Sequence, residues 1–281
     1  MGSFLSYLWR TRNVAAAIAG LIVAVFVVTA LAAPLVVTWE SATKVNLQDA
    51  LATPSPSFPL GADELGRDML ARIVWGARIS LTVAVVSVGL ALVAGVCIGA
   101  ACGYYEGRVS DLVMRTMDFM IAFPRILLAI MLITVLGTGV VSLTAAIGIS
   151  SIPVYARLFR APVLSLKQRE FVLAARSLGA RDGAILFGHI LPNTVSLMII
   201  QGTISLADAI LIASGLSFLG LGPQPPTPEW GAMIANARAH ITSTPHVVFV
   251  PGIALFLVIL GLNVLGDALR DFADPRVRKS R

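Results

Sequence analysis

Few residues in this chain join a reactive side chain to a setting that could use it. Asp208 lies near the middle of an apolar run, Thr194–Leu216. Gln201, Ser205 and Asp208 follow one another at i, i+4 and i+7, the spacing that puts three side chains on one helix face. An unpaired carboxylate at that depth costs about 2.5–3.5 kcal/mol on insertion scales, so it must face protein or water rather than lipid. Two roles are open to this face: lining of a polar path, or a hydrogen bond to a neighbouring helix that fixes packing. Asn263, a lone polar residue in the last apolar run, reads as a contact between helices. Cys97 and Cys102 share one apolar run with no His or carboxylate cluster beside them, and are expected to pack rather than to bind metal or cycle between redox states.

Catalytic motifs are missing. The sequence holds no G-x-x-x-x-G-K phosphate loop, no H-E-x-x-H and no G-x-S-x-G. Gly137-Thr138-Gly139 is a fragment of a dinucleotide fingerprint, but no strand precedes it, and a turn is expected there. The chain is therefore expected to carry no catalytic residue, metal or cofactor of its own.

The elements that hold these residues follow from composition. Of 281 residues, 57% are hydrophobic and 13% charged, against roughly a quarter charged in soluble domains. The apolar residues fall in runs of about 20, the length that crosses about 30 Å of hydrocarbon as a helix. Six spans are expected: Val14–Val37, Ser80–Gly103, Asp118–Leu136, Val140–Ala156, Thr194–Leu216 and Val247–Gly266. Arg10 and Arg12 before the first run, and Ala30-Leu31-Ala32 within it, are shared with secretory signals; the run outlasts a signal core of 7–15 residues, so a retained anchor is expected.

Alternating the sides of these spans puts 16 of the 21 Lys and Arg residues on the side of both termini, Arg125 among them. That side is the cytoplasmic one of a bacterial-type inner membrane, with both termini inside. The net charge of +6 is expected to meet anionic headgroups and cytoplasmic partners rather than nucleic acid. Two outward segments exceed a turn. Thr38–Ile79 is Pro- and Ser-rich and then amphipathic through Leu65, Met69, Leu70, Ile73 and Val74, which predicts a helix lying in the outer interface. Segment 217–246 carries Gly220, Gly222, Pro223, Pro225, Pro226 and Pro228, and is expected as an ordered loop with a short helix near Met233–Ala239. The chain divides accordingly into an anchor with an outer segment, 1–79, and a five-helix core, 80–281, with an inner loop 157–193.

That inner loop has a form of its own. Arg169–Leu178 has helix-forming composition and stops at Gly179, a residue suited to a left-handed helix end. A second helix is expected over Arg181–His189, running to Pro192. Ala174 and Ala175 leave one face low enough to enter a groove on another protein.

From Leu173 to Pro192 the loop resembles the signature loop of importer-type ABC permeases, Glu-Ala-Ala, three residues, Gly, then a hydrophobic-Leu-Pro ending. Leu173 stands where that pattern has Glu, with Glu170 one turn earlier. Three more stretches, PLGADELGRDMLARIVWGARISL (Pro59–Leu81), GLSFLGLGPQPPTPEWGAMI (Gly215–Ile234) and LNVLGDALRDFADPR (Leu262–Arg276), resemble the dipeptide, oligopeptide and nickel permease family, in its second-permease branch. Ala213 departs from the acidic residue that many members carry there.

The resemblance implies an all-α membrane protein of the type I ABC importer permease fold, forming half of the translocation path for di- and oligopeptides. It implies a homologous permease, two ATPase subunits that hold ATP and Mg, and an external substrate-binding protein. Glu170, Leu173, Ala174, Ala175, Gly179 and Pro192 would form the ATPase-coupling loop. Glutathione and chelated nickel stay open as substrates. The alternatives are a secondary transporter driven by an ion gradient, which predicts several intramembrane carboxylates and an internal repeat, and a membrane enzyme.

Overall fold

The computed structural model describes residues 14–273, and the described residues form helices and no strand. The basic residues Arg10 and Arg12 and those beyond 273 lie outside them. Among the described residues five helical segments are long and apolar enough to cross a membrane, six if a bent pair of helices is counted as one span. Helix α1, Val14–Val36, turns Ala16, Ala19, Ala30 and Ala33 inward. The cleavage-like Ala30-Leu31-Ala32 lies inside this unbroken helix. A five-residue helix, α2, Trp39–Thr43, follows it.

Helix α3 runs from Met69 to Tyr104, 36 residues without a break. This corrects both the expected interfacial helix and the division at residue 79, because Met69–Ile79 of the amphipathic stretch is the first part of the spanning helix itself. The reason is burial. Met69, Arg72 and Val74 are buried, and Arg72 contacts the folded segment 38–68, so much of the stretch that the sequence offers to the interface meets protein instead. Asp63 accepts from Arg67 at 2.6 Å and pairs with Arg72 at 3.1 Å, while Arg72 also donates to the Ala42 carbonyl at 3.0 Å. Buried charges persist only when paired and hydrogen-bonded in this way.

Beyond Gly107 the chain forms α4, Arg108–Ile121, and α5, Arg125–Leu136, with axes bent by 96°. Then come α6, Val140–Lys167, and, after the inner loop, α9, Val195–Phe218. The loop holds α7, Glu170–Ser177, and α8, Asp182–Ile185. The outward loop carries α10, Trp230–Ala237, and the last helix, α11, spans His246–Ala273.

Helices α3 and α6 are parallel. Gly95 lies against Tyr155, Gly99 against Ala156, and Gly103 against Arg160 and Val163, so residue numbers rise together along both helices. A Cβ at Gly103 would stand 2.9 Å from the Arg160 carbonyl oxygen, and at Gly95 and Gly99 the helices approach more closely still. Small residues four apart permit this backbone contact, the common device of helices packed in lipid.

Two parallel neighbours require the chain between them to return through the membrane. The pair α4–α5 makes that return, and it corrects the straight span expected over Asp118–Leu136. Helix α5, at 12 residues, covers only about 18 Å. Pro124 disfavours helical geometry at Phe123 and so ends α4. Arg157–Asp118 and Arg160–Asp111, each 3.4 Å, tie α4 to the second half of α6.

At the end of α3 that begins with Met69, Trp230 is fully buried over Gly76, and its indole N–H donates to the Ile73 carbonyl at 3.3 Å. Its neighbour Glu229 caps α10 by accepting from the Ala232 amide at 2.9 Å. Burial pushes the Glu229 carboxyl above its ordinary value, against the lowering effect of the Gly231 and Ala232 amides. The short helix thus begins at Trp230, three residues before the expected Met233.

The α3–α6 contact gives a direct test. Gly99→Ala places a methyl group against the Ala156 backbone, which cannot yield as a side chain would, and should destabilise the isolated chain by about 1–3 kcal/mol. Gly89→Ala, in the same helix with nothing within 4 Å, should be neutral or stabilising by about 0.5–1 kcal/mol. Unfolding titrations in mixed micelles check the pair, and equal effects would contradict the packing.

Candidate functional site

Helix α9 is 24 residues long, and Asp208 lies in its fourteenth position, about 20 Å along the axis at 1.5 Å per residue. At this mid-span depth the structure holds a cavity of about 370 Å³. Gln201, Ser205 and Asp208 all line it, as their shared face requires, and Gln201 Nε2 donates to Ser205 Oγ at 3.3 Å. The face lines a polar cavity, and its Asp208 also accepts a hydrogen bond from a neighbouring helix.

Asp208 is paired. Arg125 Nη2 donates to its carboxylate, and both side chains open on the cavity. The sequence counted Arg125 with the basic residues on the side of both termini; the α4–α5 break instead carries it to the cavity as the first residue of α5. Ser151 and the buried Tyr155 join from α6, and Asn263 joins from α11. Asn263 is therefore a cavity residue rather than only a contact between helices. The Asp208 side chain keeps 48% of its surface and Arg125 24% in this chain alone. Charges at this depth are not stable against hydrocarbon, so the open side of the cavity must be covered by protein or water in the membrane.

At the opposite end from the capped outer segment, the inner loop folds as helix, turn, helix. Gly179 takes φ +82° between α7 and α8, with nothing within 4 Å of where a Cβ would sit. Its role is conformational, not steric. Glu170 is the first residue of α7, where a carboxylate favours the helix N-terminus. The second helix departs from expectation. It ends at Ile185, and a wide turn, Leu186–Ile190, and a tight one, Leu191–Thr194, lead into α9. Pro192 has no N–H to continue the ordinary ladder, which accounts for the irregular turns.

The two alanines of the loop face different ways. Ala174 is exposed, whereas Ala175 packs inward on a cluster that includes Val172, Ile185 and Ile190. Phe171, Leu173, Leu178 and Phe187 are exposed apolar residues of the loop, Leu178 at 89%.

Sequence reading missed what holds the loop. Tyr104, the last residue of α3, donates its hydroxyl to Asp182 at 2.6 Å and accepts from Arg176 at 3.0 Å, gripping both loop helices. Lys167, ending α6, donates to the Tyr104 carbonyl at 2.7 Å and to Glu106 at 3.0 Å. No spacing rule pairs residues some 70 positions apart. A tyrosine closing an apolar run beside a basic loop is the one available signal. Cys97 and Cys102 are free thiols, and among the described residues no His, Cys, Asp or Glu cluster could hold a metal ion.

Residues 95–279 match the family described as binding-protein-dependent transport system inner membrane component. The chain is 42% identical over 267 residues to the dipeptide transport system permease protein DppC of Alkalihalophilus pseudofirmus, covering 95% of this chain and 88% of that one. It is 42% identical over 272 residues to the glutathione transport system permease protein GsiD of Pectobacterium atrosepticum, covering 96% and 90%. The GsiD of an Escherichia coli O6 strain is 43% identical over the same length. Among solved structures, an inward-facing form of the MetNI methionine ABC transporter aligns with a TM-score of 0.54 and 17% identity, covering 72% of this chain and 97% of that one. At that identity the likeness concerns the fold.

The Tyr104 node yields its own prediction. Tyr104→Phe removes both hydroxyl bonds, worth about 1–3 kcal/mol because the partners are charged, and keeps the ring. Amide exchange over residues 170–190 should accelerate about tenfold or more, while α6 is unchanged; a loop protected as in the parent would contradict the node.

Proposed function

The chain belongs to the inner membrane components of binding-protein-dependent transport systems, and from that premise we propose that it forms half of a path for small peptides. It is the permease subunit of an ABC importer, a multi-pass membrane protein whose work is transport rather than catalysis. Family membership sets aside both the ion-gradient transporter and the membrane enzyme.

The observation that carries the path is the mid-span cavity. Arg125, Asp208 and Gln201 face it at a depth where lipid cannot solvate them, so a second, homologous permease closes its open side and the substrate passes between the two. Di- and oligopeptides are the substrate class, supported by relatives named for a dipeptide and for glutathione, itself a small peptide.

Two ATPase partners hold ATP and Mg, a reading supported by membership in the binding-protein-dependent transport family. The ATPases dock on the exposed apolar residues of the inner loop, Phe171, Leu173, Ala174, Leu178 and Phe187, while Ala175 and Gly179 shape the loop from within and Glu170 and Pro192 bound it. An external binding protein delivers substrate at the end capped by segments 38–68 and 219–245. The loop end and both termini are cytoplasmic. The excess of basic residues at that end supports this orientation.

Coupling and topology are tested in the assembled complex. Gly179→Val forces an L-residue into the left-handed region at about 1–2 kcal/mol. It should lower peptide uptake per ATP hydrolysed about tenfold, with the ATPases still co-purifying; uptake equal to the parent's would contradict the docking role. In a background lacking Cys97 and Cys102, cysteines at the exposed Ser57 and Gln224 should react with an impermeant thiol reagent from the outside. Reaction from the cytoplasmic side alone would reverse the orientation.

A further inference from the structure

The cavity pairs one acid with one base, and its remaining polar lining, Ser151, Tyr155, Gln201, Ser205 and Asn263, is uncharged. The two charges come from different elements, Arg125 from the first residue of α5 and Asp208 from the middle of α9. A helix-packing pair would be expected between the interlocked faces of two helices. This one instead lies at the cavity wall, with both side chains partly open to the space.

Such a pair sets an electrostatic rule for whatever enters. A ligand carrying only an ammonium group can bind Asp208 only by leaving Arg125 unpaired at mid-span, and one carrying only a carboxylate strands Asp208. An uncompensated charge in that setting is strongly unfavourable. A zwitterion avoids both penalties. Its carboxylate replaces Asp208 at Arg125, its ammonium replaces Arg125 at Asp208, and one ion pair becomes two with no charge left over. When the ligand departs, the two side chains pair again, so the empty site never holds a bare charge. A volume of about 370 Å³ is at the small end of ligand pockets and suits a ligand of dipeptide size.

We propose that Arg125 and Asp208 form a zwitterion-exchange site, an ion pair that opens to receive the free carboxylate and free ammonium of a short peptide and closes behind it. This rests on the reading of the cavity as part of the path. The guanidinium offers a two-pronged donor that matches a carboxylate, and the uncharged lining supplies hydrogen bonds to the peptide group without choosing among side chains. Selectivity thereby falls on the two termini, which all linear unmodified peptides share.

The test uses the detergent-purified complex of both permeases and both ATPases, without the binding protein, so that capture by that protein does not enter. With Cys97 and Cys102 replaced by alanine, Leu211→Cys, on the cavity lining, reports occupancy by its rate of reaction with a thiol reagent. Ala-Ala, N-acetyl-Ala-Ala and Ala-Ala amide are compared as protectants. Ala-Ala should protect at a concentration about tenfold or more below either blocked form, the scale of a lost hydrogen bond to a charged group. In Asp208→Asn, the acetylated form should protect as well as Ala-Ala; in Arg125→Gln, the amide should. Equal protection by the three ligands in the parent, or equal losses for all three in both variants, would overturn the exchange site and leave a packing pair. Absence of any protection, in a complex that still performs ATP-driven uptake with its binding protein, would overturn it too. Failure of the importer reading is separately visible, as absence of ATP-driven uptake by the parent.

Discussion

Contact between α3 and α6 is possible only because Gly95, Gly99 and Gly103 present no side chain where the two backbones meet, and much of the remaining architecture follows from it. The helices are parallel, so the intervening chain must cross back. It does so through the break at Ala122–Pro124, and the break delivers Arg125 to the side of Asp208. The same contact brings the ends of α3 and α6 together, where Tyr104 and Lys167 build the seat of the inner loop. A cavity at mid-span and a loop at one end are thus consequences of a single packing arrangement.

That arrangement also suggests how movement could pass between them. The loop is bound to α3 through one hydroxyl, the Lys167 ammonium ties the end of α6 to the end of α3, and α3 and α6 are in close contact along the glycine row. Pressure on the loop therefore acts on a rigid pair of helices. The cavity is bounded by one member of that pair, α6, and by α5, α9 and α11. Movement of the pair relative to α9 would change the cavity, provided the ATPases bind the two arrangements with different affinity. The outer cap, where Trp230 is buried over Gly76 and Arg67 and Arg72 are paired with Asp63 and Glu64, would ride on the same α3 helix.

Much of this was legible in the sequence. Apolar run length finds most of the spanning helices, because the bilayer imposes one length on all of them. The face of Gln201, Ser205 and Asp208 follows from helical period alone, and the left-handed turn at Gly179 follows from the residue's freedom at positive φ. The failures share a cause, which is contact between residues distant in the chain. Met69–Ile79 has the pattern of an interfacial helix until the folded segment 38–68 covers it. Arg125 looks like a charge at the edge of a span until the bend at Pro124 carries it inward. Ala175 looks like a docking residue until Val172 and Ile185 fold beneath it. Each side chain acquires its role from a neighbour that no local pattern names.

The claim that α3 and α6 move as one body against α9 is open to direct measurement. Spin labels can be placed in pairs on the reconstituted complex, at the exposed positions Val86 in α3 and Val141 in α6 for one pair, and at Val154 in α6 and Leu211 in α9 for the other. Distances are then recorded by double electron–electron resonance in the nucleotide-free and ATP-trapped states. The account predicts an unchanged α3–α6 distance and a shift of a few ångströms, the scale of packed elements repositioning, between the two cavity labels. A cavity distance that stays fixed when ATP is trapped, or an α3–α6 distance that shifts as much as the cavity does, would contradict it.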